Sequence, residues 1–129
     1  MKSTAFALSA CFLFAFAWPA SAHHSFAMFD RGKQQTISGT VKEVDIINPH
    51  GWLQVMVPDA QGTPTLWSLE MGGAGQMERQ GWDQQTLKAG DKVSVTLHPL
   101  RDGSNGGQLM SVVLPDGKTL GTGFLGFGR

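Results

Sequence analysis

Thr36-Ile37-Ser38-Gly39-Thr40-Val41-Lys42-Glu43-Val44-Asp45-Ile46-Ile47 is the stretch that decides the fold. Its β-branched residues predict a strand. Ile37, Gly39 and Val41 share one parity, whereas Val44 and Ile46 share the other. Side chains alternate between faces along a strand, so an unbroken strand cannot send both sets to one core. The switch falls at Lys42-Glu43, which reads as a β-bulge that bends the strand. A long, strongly bent first strand fits the closure of a small barrel.

Outward from this stretch the pattern stays β. Asn48-Pro49-His50-Gly51 is a turn. Trp52 to Val57 follows, with Leu53, Val55 and Val57 on one face. Asp59 to Pro64 is a polar loop. Thr65 to Leu69 is a third strand, carrying Trp67 and Leu69 on one side. Three glycines between Met71 and Gln76 then break the pattern, and Gln76-Met77-Glu78-Arg79-Gln80 predicts a helix of one or two turns. Leu87 to Asp91 turns the chain into a fourth strand, Lys92 to His98, with Val93, Val95 and Leu97 inward. Arg101 to Gly107 is a Gly/Asn loop, and Gln108 to Leu114 is the fifth strand. Pro115-Asp116-Gly117 turns again, before a Gly/Phe tail, residues 121–129, expected to be flexible. Three strands, a short helical connector and two more strands match the order of an OB-fold. The expected fold is therefore mainly β, a small five-stranded OB-like antiparallel barrel with one short helical connector. A small antiparallel sandwich is the alternative.

Before the barrel lies an export leader. Lys2 gives a positive start, Ala5 to Trp18 is almost wholly apolar, and Ala20-Ser21-Ala22 is a small-residue cleavage site after Pro19. The apolar run is short against the roughly 20 residues of a membrane span. Leu8-Ser9-Ala10-Cys11 imitates a lipoprotein box, but the apolar run continues past Cys11. The expected organisation is a cleaved signal peptide, residues 1–22, an N-terminal arm, residues 23–34, the barrel, residues 35–120, and the tail. The mature protein is expected to be periplasmic or secreted, with no membrane span. Cys11, the single cysteine, leaves with the leader, so no disulfide or thiolate site remains. Loss of Lys2 leaves 9 basic against 10 acidic residues, a formal charge of −1 with no basic run to attract nucleic acid.

Four blocks matter together: His23-His24-Ser25-Phe26-Ala27-Met28-Phe29-Asp30, Gly39-Thr40-Val41-Lys42-Glu43, Asn48-Pro49-His50-Gly51-Trp52-Leu53, and His98-Pro99-Leu100-Arg101-Asp102-Gly103. They resemble a family of small exported bacterial proteins of unknown function, DUF6152, and the likeness runs from His23 to about Leu120. Gly81-Trp82 and Leu87-Lys88-Ala89-Gly90-Asp91 also look like its pattern. That pattern often carries a proline after the Trp67-to-Glu70 block, where this chain has Met71-Gly72-Gly73-Ala74-Gly75. The resemblance implies export and a shared small β fold, and no activity.

Chemistry has to come from the four histidines, His23, His24, His50 and His98. Cleavage after Ala22 makes His23 the amino terminus, where its amine and imidazole can close on one metal ion. His98 has the parity of Lys92, Ser94 and Thr96, so it is expected to point away from the core. In an OB-like barrel His50 lies between strands one and two, and His98 opens the loop between strands four and five. Those loops border the usual binding surface. This predicts a histidine brace, with the amine and Nδ1 of His23 chelating a metal and His50 or His98 adding an imidazole. His24 is a competing ligand. Nitrogen-rich, thiolate-free sites suit copper, with zinc the alternative. The amine must lose its proton to bind, and its ordinary pKa is about 7.7–8.0, so affinity should fall below neutral pH. Each histidine also has a plainer reading: a cleavage-site accident for His23-His24, a turn residue for His50, a strand-end hydrogen bond for His98.

Other residues add less. Glu70 is either a ligand, a histidine partner or a solvated strand end. Met28, Met56, Met71, Met77 and Met110 form no Met-x-Met cluster and read as packing residues. Ser25 beside His24 is no oriented nucleophile and base. The leading expectation is metal handling rather than catalysis. The alternative is a non-catalytic envelope module that binds a peptide, glycan or partner protein.

Overall fold

The bend expected in the first strand is present. A computed structural model describes residues 26–124; the expected signal peptide, His23 and His24 lie outside the described residues. Strand β1 (Gln35–Asp45) pairs antiparallel with β2 (Trp52–Pro58), and the register skips between Val41 and Glu43. Lys42 is the extra residue of the bulge, as the parity switch requires. The two halves of β1 serve different neighbours. Gln35 to Thr40 pairs with β4 (Lys92–Pro99), and Thr40 to Asp45 pairs with β2. At the junction Gly39 lets strands approach: a Cβ there would collide with the Met56 carbonyl oxygen and lie 2.8 Å from Val55 Cγ1.

The remaining elements complete a ring. β3 (Pro64–Glu70) pairs with β2, and β5 (Gly106–Val113) pairs with β4. A pairing of β3 with β5 closes the barrel, through Ser68–Gly106, Leu69–Gly107 and Glu70–Gln108. That pairing is parallel, which corrects the expectation of an antiparallel barrel. The reason is parity. Each step from β3 through β2, β1 and β4 to β5 reverses direction, so an odd ring must meet itself with one parallel pair.

β3 covers only the start of β5. A sixth strand, β6 (Thr119–Gly121), pairs with Ser111 to Val113 at the far end. The Thr122 N–H donates to the Met110 carbonyl at 3.1 Å, and its buried hydroxyl donates to that of Leu109 at 2.7 Å. The ordered sheet therefore reaches into the stretch expected to be a flexible tail. The short helix α1 (Ala74–Arg79) falls where the glycine-to-Gln pattern put it and buries Met77 in the core. Gln76 Nε2 donates to the Thr122 carbonyl, and Trp82 Nε1 donates to that of Gly121, each at 2.9 Å.

The core follows the alternations in the sequence. Leu53, Val55, Leu69, Val95, Leu97, Leu109 and Val112 are fully buried. Full burial of such side chains stabilises by about 1.5–3 kcal/mol each before entropy is counted. In β5 the register also shifts, with Thr96 opposite Ser111 but Leu97 opposite Leu109, so that Leu109 and Val112 both face inward.

Gly39→Ala is expected to destabilise the barrel by about 1–3 kcal/mol through overpacking, whereas Ser38→Ala, next to it on the exposed face, should change stability by less than about 0.5 kcal/mol. Urea unfolding midpoints of the two variants check this.

Candidate functional site

Closure of the barrel aligns polar residues that are far apart in sequence. Trp52 is registered with Glu70, Glu70 with Gln108, and Gln108 with His98. The four form one row across β2, β3, β5 and β4. Their neighbours Leu53, Leu69, Leu97 and Leu109 face the core, so the row lies on the outer side of the sheet. Even so, Glu70, Gln108 and His98 are only 6%, 2% and 8% exposed.

The N-terminal arm covers this side. Phe29, 3% exposed, forms a bridge with Leu100. The Asp30 N–H donates to the Pro99 carbonyl at 2.8 Å, and the Arg101 N–H donates to that of Met28 at 3.0 Å. Arg101 Nε donates to the Ala27 carbonyl at 2.9 Å. Arg101 thus anchors the arm. The neighbouring Asp102 accepts from the Ser104 hydroxyl and N–H, which holds its carboxyl below the usual range and shapes the Asp102-Gly103 turn.

His98 points outward as its parity predicts, and the arm meets it. Its Nδ1 lies 2.6 Å from the Lys33 carbonyl oxygen. A carbonyl only accepts, so Nδ1 carries the proton and donates. This is the strand-end hydrogen bond of the plainer reading, made to the arm.

His50 is held from two sides. Its loop docks on the segment after β3. The Asn48 side-chain oxygen accepts from the Ala74 N–H at 3.0 Å, the Gly51 N–H donates to the Gly72 carbonyl at 3.0 Å, and the Met71 N–H donates to that of Gly51 at 2.9 Å. Gly73 permits the contact, since a Cβ there would lie 2.7 Å from the Asn48 side-chain oxygen and 2.9 Å from the Pro49 carbonyl. Gly72 and Gly73 thus seat the His50 loop. His50 Nδ1 lies 3.0 Å from Glu70 Oε1. Nδ1 also lies 3.4 Å from the Met71 carbonyl oxygen; both neighbours are acceptors, so Nδ1–H donates between them and Nε2 keeps its lone pair. The His50 side chain is 38% exposed and that of Glu70 only 8%. Glu70 is therefore a buried histidine partner, not a solvated strand end.

The expected pairing of His50 with His98 is not direct. His50 gathers with Glu70, and two strand spacings, roughly 10 Å, separate Glu70 from His98. Among the described residues, no group of three or more His, Cys, Asp or Glu is placed to hold a metal. His23 and His24 lie outside those residues. Met71, Met77 and Met110 are buried packing residues, whereas Met28 is 39% exposed.

Beside Glu70 is a small cavity of about 110 Å³, walled by Met28, Phe29, Trp52 and Leu100, with Ser68 on the same side. Sequence reasoning missed it, because its walls come from the arm, three strands and a loop. Gln108 was missed as well. A larger open depression of about 550 Å³ along Gly90–Ser94 and Val113–Pro115 includes neither histidine nor Glu70. Among the described residues no helix is long and apolar enough to cross a membrane.

A family model described as "Family of unknown function (DUF6152)" matches residues 10–110, and the chain belongs to that family. No curated protein and no solved structure matches it.

His98→Ala should loosen the arm and leave the barrel folded. Amide exchange at Asp30, whose N–H bonds to Pro99, is expected to speed up, with about 0.5–1.5 kcal/mol of stability lost. Unchanged exchange at that amide would mean the His98–Lys33 bond does not hold the arm.

Proposed function

We propose that this member of the DUF6152 family is an exported metal-handling protein, copper being its first candidate and zinc its second. The ligands are the amine and imidazole of His23, exposed by cleavage after Ala22, together with Nε2 of His50. The role is binding or delivery of the ion, not turnover, in the periplasm or outside the cell.

One observation carries this reading: the buried Glu70 carboxylate holds Nδ1 of His50 at 3.0 Å. Metal-ligating histidines almost always give their second ring nitrogen to such an acceptor, which sets the tautomer and raises ligand basicity. Here that leaves Nε2 available on a partly exposed ring. His98 has the same tautomer, but the arm shields it, so His50 is the better ligand. The arm also supports the reading. Ala27 is tied to Arg101, and Met28 walls the cavity that Glu70 lines. His23 is four residues before Ala27, a reach of at most about 14 Å. A site of mixed amine and imidazole nitrogens without thiolate suits Cu(II).

The test is a Cu(II) titration against a competing chelator, with electron paramagnetic resonance spectra, on protein beginning at His23. Tight binding with a nitrogen-rich axial spectrum is expected. One added alanine before His23, or His50→Ala, should weaken it by at least tenfold, and Glu70→Gln by about 10–100-fold. His98→Ala should leave it unchanged. Equal, weak binding by the native and extended termini would reject the brace.

A further inference from the structure

The cavity beside Glu70 has a chemistry of its own. Its volume of about 110 Å³ compares with roughly 30 Å³ per liquid water and with 300–1,000 Å³ for pockets that take drug-sized ligands. It therefore suits a ligand of a few heavy atoms and is too small for a sugar chain or a peptide. Three features restrict the class further. Glu70 is the one acidic residue in the lining, no Lys or Arg lines it, and the His50 imidazole stands 3.0 Å from its Oε1. The other walls are mostly apolar or aromatic, from Trp52, Phe29, Met28 and Leu100, with Ser68 and Asn105 as the neutral polar side chains. Finally, His50 donates to Oε1 of Glu70, and a carboxylate has lone pairs for further donors.

A buried carboxylate beside aromatic side chains complements a small cation with an apolar shell. The carboxylate supplies the counter-charge, and aromatic rings attract such a cation through their quadrupoles. A metal ion would find one carboxylate here and mostly apolar walls. An anion would meet Glu70 directly, and a neutral apolar molecule would leave the buried carboxylate without a new partner.

We propose that this cavity is a binding site for a small alkylated ammonium group, such as a choline-type head or a short alkylamine. The site does not depend on the metal reading. It uses Glu70 through the cavity, whereas a metal would sit on the far side of the His50 ring, at Nε2.

The experiment uses mature protein beginning at His23, freed of metal with a chelator, and titrates choline chloride by calorimetry. The neutral isostere 3,3-dimethylbutan-1-ol, which lacks the charge, is the paired probe. Choline is expected to bind and the alcohol to bind at least tenfold more weakly. Glu70→Gln should lose at least tenfold in choline affinity, and Trp52→Leu a similar factor, with far-ultraviolet circular dichroism and urea midpoints reporting that each variant is folded. The protein with an extra alanine before His23 should bind choline like the parent, so this test is decided separately from the copper titration. Equal binding of choline and the alcohol would overturn the proposal, as would choline affinity unaffected by Glu70→Gln or no choline binding by the folded parent.

Discussion

Five strands in a ring cannot alternate direction all the way round. One junction has to be parallel, and in this barrel it is the junction of β3 with β5. Parallel pairing is slightly less stable per residue than antiparallel pairing, and here it spans only three registered pairs. Much of the structure is organised around that short seam. Two glycines line it on the β5 side, and a Cβ on Gly106 would lie 2.7 Å from the Ser68 carbonyl. Beyond the seam, β6 takes over the edge of β5, and α1 buries Met77 in the core. The seam also draws Glu70, Gln108 and His98 into one row, so the polar site is a consequence of how the barrel closes.

The local elements were legible because they follow from local rules. The parity change across Lys42 can only be reconciled with one core by an extra residue, and it is found there. Gly/Gln patterning marked α1, and the alternations of Val93, Val95 and Leu97 marked β4. What the residues do not display is what depends on closure. The parallel seam follows from strand number, not from any residue type in β3 or β5. β6 is three residues long, too short to alternate, and its stretch is Gly- and Thr-rich. It is held by hydrogen bonds to β5 and to Trp82 and by Leu120, which is buried in the core.

The site was legible in the same partial way. His98 points outward as its parity requires, but parity is silent about the arm that covers it. His50 was placed correctly in the β1–β2 loop, while its partner Glu70, twenty residues further on, looks like an ordinary strand end until β3 lies beside that loop. Burial of Glu70 is costly for a charge unless it is paired, and the Nδ1–H of His50 supplies the pairing. The carboxylate in turn fixes which nitrogen of His50 faces outward.

The arm has a further property. Every bond traced here between it and the barrel uses an arm main-chain group: the carbonyls of Ala27, Met28 and Lys33, and the N–H of Asp30. The barrel supplies the side chains, Arg101 and His98. Among the described arm side chains, that of Phe29 adds a buried contact, at 3% exposed, to these main-chain bonds. Substitutions at the exposed Ala27, Met28 and Lys33 leave these main-chain bonds available, so the surface the arm presents can change over one unaltered scaffold.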